Sequence, residues 1–131
     1  MSSDTTRVVA AMYEAISNGQ VDKVLALLAP KIEWTEAEKF PYYSGTWTSP
    51  QEVIEKLLIP ASKDFSQFSA KADDYVCQDN RVVSMGAYVG VVKRTGKHFR
   101  VPFAHVWEVK DGKVTKFVMY TDTAMILEAF S

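Results

Sequence analysis

Residues 101–122 read VPFAHVWEVKDGKVTKFVMYTD, and this stretch decides the fold. Two runs rich in Val, Phe, Trp and Tyr flank an Asp-Gly pair, which is a strong short-range signal for a β-hairpin. In the first run Phe103, His105 and Trp107 occupy alternate positions, so a strand would place all three on one face. The second run ends at Asp122, directly before an apparent helix. The hairpin therefore predicts an imidazole and a carboxylate in surroundings rich in aromatic side chains.

The sequence before this hairpin also has β character. Residues 68–78 and 81–93 are strand-like, and residues 94–97 supply a turn into the strand that carries the histidine. Gly86 and Gly90 lie inside the second run and predict bends or a bulge, as a strongly curved sheet requires. We therefore expect a curved meander of long antiparallel strands.

The first half of the chain is mostly helical. Capping side chains, apolar residues at helical spacing and terminal glycine or proline residues mark its elements. The predicted elements are a helix between the capping residues 4–6 and the stop at residues 18–19, a helix over 21–28, a short strand over 31–35, an aromatic loop over 36–47, a helix from Ser49 that weakens at residues 59–60, a partly helical stretch from there to residue 67, and a terminal helix over 123–130. Helices that precede a strand meander indicate an α+β architecture.

Length and composition are those of one soluble globular domain spanning residues 1–131, with 47% apolar and 24% charged residues. A formal net charge of -1 without long charged runs gives no case for a nucleic-acid or membrane partner. The sequence contains no signal-peptide pattern, so a cytoplasmic protein is expected. The single Cys77 cannot form an internal disulfide, and two scattered histidines lack metal-ligand spacing. We expect neither a metal nor a cofactor.

The order of these elements resembles the cone-shaped fold of nuclear transport factor 2. The matching segments are YEAISNG at 13–19, LAP at 28–30, WTE at 34–36, YSG at 43–45, AHVW at 104–107, DGKV at 111–114 and YTD at 120–122. The chain is similar to the ketosteroid isomerase-like and SnoaL-like branches of that superfamily. The resemblance implies an α+β cone in which a strongly curved mixed or antiparallel sheet wraps around N-terminal helices. It also implies a homodimer that pairs through the outer face of the sheet.

The resemblance implies four candidate residues for acid–base chemistry. Tyr13 lies where ketosteroid isomerases keep an oxyanion-binding tyrosine, and Glu36 falls where they keep the proton-transferring aspartate. His105 and Asp122 resemble the strand histidine and late aspartate of SnoaL-like cyclases, in which the aspartate has the acid–base role. The arginine–aspartate–arginine core of limonene-type epoxide hydrolases is missing from the sequence.

Each candidate also has a structural interpretation. Asp122 suits the N-cap of the terminal helix, and His105 suits a core position bonded to a backbone carbonyl. Glu36 could belong to an exposed acidic patch, and Tyr13 lies on the apolar face of its helix. We nevertheless expect Asp122 to be the most consequential polar residue, with its carboxylate pointing back into the cone. The aromatic residues expected to line the pocket are Trp34, Tyr43, Phe103, Trp107 and Tyr120.

The sequence predicts a small cofactor-independent enzyme that binds a mostly apolar, oxygen-bearing molecule. It would catalyse proton transfer, as an isomerase, cyclase or dehydratase does. Asp122 or Glu36 would be the base, with His105 and Tyr13 as hydrogen-bond partners. The alternative is a non-catalytic module of the same fold that binds a small molecule or serves for dimerisation.

Overall fold

The computed structural model describes residues 2–131, with side chains from residue 4 onward. The helices are α1 (Ser2–Ser17), α2 (Val21–Leu27), α3 (Pro50–Val53), α4 (Ile59–Asp64) and α5 (Thr123–Phe130), and a π-helical turn (Ile54–Leu58) joins α3 to α4. The strands are β1 (Leu28–Thr35), β2 (Thr46–Trp47), β3 (Phe65–Gln78), β4 (Arg81–Val92), β5 (His98–Lys110) and β6 (Lys113–Thr121). No helix within these residues is long and apolar enough to cross a membrane.

The strands form one six-stranded sheet in the order β2-β1-β6-β5-β4-β3. β1 runs parallel to β6, and every other neighbouring pair is antiparallel. The sheet is open and curves around α1, whose Val9, Met12 and Tyr13 are buried in the core. The Ser17 hydroxyl at the end of α1 bonds the backbone of Ala70 in β3. This is the predicted α+β cone with a mixed sheet.

The β5–β6 hairpin confirms the predicted turn and the predicted inner face of β5. Asp111 and Gly112 have φ values of 53° and 75°, and a two-residue hairpin turn of type I′ requires positive φ at both positions. Phe103, His105 and Trp107 are exposed by only 5%, 2% and 0%, so all three side chains face the inside of the curve. The alternation of the strand therefore sets which side chains can reach the interior.

The glycines of β4 lie where the sheet bends. Ala72 pairs with Gly86 and Asp74 pairs with Met85, so Asp73 is the extra residue of a β-bulge. A Cβ atom on Gly86 would lie 1.8 Å from the carbonyl oxygen of Lys71, which leaves no room for another residue type. Gly90 lies near a second register shift in β3, and the predicted bends are confirmed.

The helices differ from the sequence prediction in two places. α1 begins at Ser2, so Asp4 lies in the first turn, where its charge favours the helix dipole, and does not cap the helix. The helical segment after the Ser49 cap continues through Pro60 but ends at Asp64, and β3 begins at Phe65, whereas the sequence predicted a partly helical stretch up to residue 67. Proline has no N–H to donate to a helical hydrogen bond. The π-helical turn that ends at Leu58 already interrupts the regular hydrogen-bond pattern there, so the helix can accommodate Pro60.

Candidate functional site

The curved sheet and the helices enclose a cavity of about 330 Å³. α1 and the helical segment 50–64 cover one side of the cavity, and strands β3 to β6 form the other. Most of the lining side chains are apolar or aromatic, and the few polar ones include Glu36, His105 and Tyr88. Both the volume and this composition are typical of sites that bind small organic molecules.

Glu36 brings a buried carboxyl to the cavity wall. It follows β1 directly, two residues after Trp34, so both side chains turn to the inside of the sheet. The Trp34 indole N–H donates to Oε2 at 2.8 Å, whereas Oε1 is buried and has no partner among the described residues. Burial raises the pKa of the Glu36 carboxyl to about 7, and the bond from Trp34 opposes the shift. Glu36 can therefore hold or release a proton near neutral pH.

His105 lies at the centre of a chain of buried polar groups. The Tyr13 hydroxyl lies 2.5 Å from Nδ1, and the Tyr88 hydroxyl lies 2.5 Å from Nε2. Ser84 Oγ lies 2.5 Å from the Tyr13 hydroxyl and accepts the indole N–H of Trp107 at 2.9 Å. Burial lowers the pKa of His105 well below its ordinary value, so the ring is neutral at pH 7. This places His105 inside a hydrogen-bond network and makes it a poor proton acceptor for a ligand.

The tyrosines of the cavity wall remain protonated. Burial raises the pKa of Tyr13, Tyr42 and Tyr88, and the negative charge of Glu36 raises the pKa of Tyr42 and Tyr88 further. Glu36, Tyr42 and Tyr88 all line the same cavity. The Tyr42 hydroxyl already donates to Asp64 Oδ2 at 2.8 Å. The cavity wall thus combines one carboxyl of raised pKa with neutral tyrosine side chains.

Three of the predicted site residues lie at the protein surface, outside the cavity. Asp122 is exposed and its carboxylate accepts the N–H of Met125 at 3.1 Å, so it caps α5 and the expected position inside the cone is wrong. Tyr120 is 57% exposed, because the alternation of β6 turns Met119 inward and Tyr120 outward. Tyr43 is 38% exposed in its loop. The predicted pocket positions of both tyrosines are also wrong.

The other predicted wall residues are buried inside the cone. Trp34 and Trp107 line the cavity together with Tyr13 and His105. Phe103 lies in the core, where its ring stacks on the His105 imidazole at a centroid distance of 4.0 Å. It does not reach the cavity wall, so its predicted place in the pocket is wrong. Its contribution is to hold the imidazole in place.

Ser84 and Tyr88 are site residues that the sequence reasoning missed. Both lie on the inner face of β4, and Ser84 is directly paired with His105 on β5. A serine in phase with buried Val82 on an otherwise apolar strand face is the sequence signal that could have indicated a polar network. Tyr88 belongs to the network because β4 pairs with β5, and its own segment of sequence gives no sign of this pairing.

The cavity offers no ligand set for a metal ion. Within the described residues, no three His, Cys, Asp or Glu side chains cluster closely enough to hold one. Both ring nitrogens of His105 already have tyrosine partners. The arrangement suits an organic molecule with one or more oxygen atoms.

Comparison with known proteins gives the family. A SnoaL-like domain matches residues 9–117. The chain belongs to the SnoaL-like family. Its fold places it in the nuclear transport factor 2-like superfamily, as the sequence resemblance implied. No curated protein sequence is detectably similar to this SnoaL-like domain.

Solved structures with the same fold cover nearly the whole of this SnoaL-like domain. An NTF2-like protein from Burkholderia thailandensis E264 is 32% identical over 97% of both chains, with a TM-score of 0.89. TerC, co-crystallised with polyporic acid, is 22% identical over 96% of this chain and 97% of its own, with a TM-score of 0.85. IdmH from Streptomyces antibioticus, described as a candidate polyketide cyclase, is 17% identical over 96% of this chain and 97% of its own, with a TM-score of 0.82. At these identities the last two support the fold alone.

Proposed function

We propose that the protein is a small cofactor-independent enzyme that transfers a proton on a mostly apolar, oxygen-bearing molecule. The observation that carries this proposal is Glu36: a buried carboxyl with a pKa of about 7 and one unpartnered oxygen at the wall of an apolar cavity. General bases work best when their pKa lies near the working pH. The apolar wall and the neutral tyrosine hydroxyls fit a ketone, enone or polyketide-like substrate.

The reaction begins with the ionised Glu36. Its free oxygen removes a proton from the carbon next to a carbonyl group, and the electron pair of that C–H bond forms an enolate. Hydroxyl donors at the cavity wall stabilise the negative charge that develops on the carbonyl oxygen. Glu36 then returns the proton to another carbon in an isomerisation, or to the alkoxide formed when the enolate attacks a second carbonyl in a cyclisation.

The names of two structural neighbours are consistent with this class of reaction. TerC was crystallised with polyporic acid, and IdmH is described as a candidate polyketide cyclase. For this chain the cyclase and isomerase reactions are alternatives within one proposal, since the same carboxyl would serve both. The rival function is passive binding of the small molecule in the same cavity.

Replacement of Glu36 by glutamine tests the proposal. Glu36→Gln keeps the shape of the side chain and an oxygen that can accept the Trp34 N–H, but it removes the proton-accepting carboxylate. With a substrate found among enones and polyketide-like ketones, kcat should fall by about 10²- to 10⁴-fold while the protein remains folded. The matched control is Glu33→Gln, an exposed glutamate on β1, which should keep full activity.

Two results would contradict the proposed function. A well-folded Glu36→Gln protein with full turnover would exclude Glu36 as the base. Ligands that bind the wild-type protein tightly and are never converted would favour the passive binding module. Product analysis by mass spectrometry, together with ligand-induced shifts in melting temperature, separates these outcomes.

A further inference from the structure

The hydrogen-bonded chain around His105 leaves one hydroxyl hydrogen without an acceptor. Counting the donors and acceptors shows which hydroxyl groups can carry that hydrogen. Trp107 can only donate, so Ser84 Oγ accepts its N–H. His105 is neutral, so only one of its ring nitrogens carries a hydrogen. Ser84 is fully buried and does not line the cavity, so its own hydrogen needs an acceptor within the chain. The tautomer of His105 therefore fixes the direction of the remaining bonds.

Two arrangements leave a single hydroxyl hydrogen facing the cavity. With the hydrogen on Nε2, His105 donates to Tyr88, Tyr13 donates to Nδ1 and Ser84 donates to Tyr13. The Tyr88 hydrogen is then free. With the hydrogen on Nδ1, His105 and Ser84 both donate to Tyr13, and Tyr88 donates to Nε2. The Tyr13 hydrogen is then free.

The contacts favour the first arrangement. The Tyr13 oxygen contacts both Ser84 and His105, so in the second arrangement it would have to accept two hydrogen bonds and still donate a third into the cavity. The Tyr88 oxygen contacts only His105 among the described side chains, which leaves it an open position at the cavity wall.

We propose that Tyr88 donates the hydrogen bond to the oxygen atom of the bound ligand. Tyr13 acts as a positioning residue, because a hydrogen bond that it donates to Nδ1 leaves the hydrogen of His105 on Nε2. Ser84 holds the Tyr13 hydroxyl in place and accepts the N–H of Trp107. The inference rests on the proposed function and deepens it: the substrate is a ketone whose oxygen contacts Tyr88 while its acidic C–H faces Glu36. As Glu36 removes that proton, the charge on the ketone oxygen grows and the bond from Tyr88 strengthens.

The tautomer can be measured on the wild-type protein without any ligand. Long-range ¹H–¹⁵N spectra distinguish a protonated ring nitrogen from an unprotonated one, and the chain has only 2 histidines. His98 is exposed, so a His98→Gln variant assigns the His105 signals. We expect the hydrogen on Nε2 near neutral pH. A hydrogen on Nδ1 would overturn the proposal, since Tyr88 would then be a donor to His105.

4-Nitrophenol is a suitable probe for the ligand side, because its anion carries charge on one oxygen as an enolate does and has its own absorption band. The wild-type protein should bind it with a shift towards the anion as Glu36 takes up the proton. Tyr88→Phe should weaken this binding roughly 10- to 100-fold, as expected for the loss of a hydrogen bond to a charged oxygen. Absence of binding to the wild-type protein at millimolar 4-nitrophenol would count against the proposal.

Tyr43→Phe is the matched control. Tyr43 is 38% exposed in its loop and lies outside the cavity, so this variant should change the affinity for 4-nitrophenol less than about threefold. A larger loss in Tyr13→Phe than in Tyr88→Phe would assign the donor to Tyr13 and refute the inference. A fully active Glu36→Gln enzyme would instead refute the proposed function while leaving the tautomer and affinity results unaffected, so the two failures are distinguishable.

Discussion

The buried carboxyl of Glu36 links the stability of the protein to pH. Its pKa is raised from 4.5 to about 7 in the folded state, so between these values the folded protein binds a proton that the unfolded chain has released. The stabilisation is fully present below pH 4.5 and is lost as the pH rises through 7. This loss amounts to about 3 kcal/mol of unfolding free energy.

We expect Glu36→Gln to remove this part of the pH dependence. Urea unfolding at several pH values should show a flatter stability profile for the variant, which gains on the wild type as the pH rises. Glu33→Gln, at an exposed position, should keep the wild-type profile. Parallel profiles for the wild-type and Glu36→Gln proteins would show that the carboxyl titrates with an ordinary pKa.

Glu36 and Asp122 differ in how well their surroundings could be predicted from the sequence. Both residues follow a strand and both matched a carboxylate position of the family. Asp122 also begins α5, and the helix N-cap geometry turns its side chain to the surface. Glu36 does not cap a helix. Its side chain follows the alternation of the strand and points inward, as that of Trp34 does. Local capping was readable from the sequence, whereas burial depends on neighbours that are distant along the chain.

Among the elements, the hairpin and the terminal helix were predictable because their signals are local. The Asp-Gly turn and the alternation of β5 specify the hairpin within about twenty residues of sequence. The contact between Ser84 and His105 is different, since it depends on the register of β4 against β5. The sequence therefore indicated which face of β5 is buried, but it could not indicate that Tyr88 is the partner of the histidine.

The β-bulge opposite Gly86 is predicted to be essential for the curvature of the sheet. In Gly86→Ala the new methyl group would overlap the backbone of Lys71 and Ala72. Backbone atoms cannot move aside as a flexible side chain can, so we expect a loss of about 2 kcal/mol or more in unfolding free energy. Chemical denaturation measures this loss, and the cavity should also bind 4-nitrophenol more weakly because the sheet must flatten or shift.

Gly112→Asn is the control for a glycine replacement. Gly112 has a φ of 75° and open space around its Cα. Asparagine tolerates the left-handed region better than other residues with a side chain, so the cost should stay below about 1 kcal/mol. Equal stability losses in the two variants would mean that Gly86 has no special part in the bulge.

For the whole molecule, the order of elements was enough to predict the cone. Helices that precede a meander of long strands can bury their apolar faces only against one side of the sheet. β1 pairs in parallel with β6, and this pairing brings the strand before Glu36 next to the hairpin that carries His105. The cavity is therefore a property of the complete fold, and its polar contacts could not be derived from any single segment.

The outer face of the sheet carries an apolar patch across its central strands. Two cross-strand rows form it, and each row takes one residue from β4, one from β5 and one from β6. The rows are Met85, Ala104 and Tyr120, and Val83, Val106 and Val118. All six side chains are at least partly exposed, and Tyr120 is 57% exposed. A contiguous apolar patch of this kind on a sheet face is typical of a protein–protein interface.

We expect this patch to pair two copies of the chain about a twofold axis, as isologous dimers do. Light scattering coupled to gel filtration should then give the mass of a dimer. Val106→Lys places a charge at the centre of the patch and should produce a folded monomer, because the buried lysine would have no partner across the axis. Leu127→Lys, at a 39% exposed position on α5 outside the patch, should remain dimeric. A wild-type protein that is monomeric at high micromolar concentration would contradict the prediction, and the apolar rows would then need another occupant.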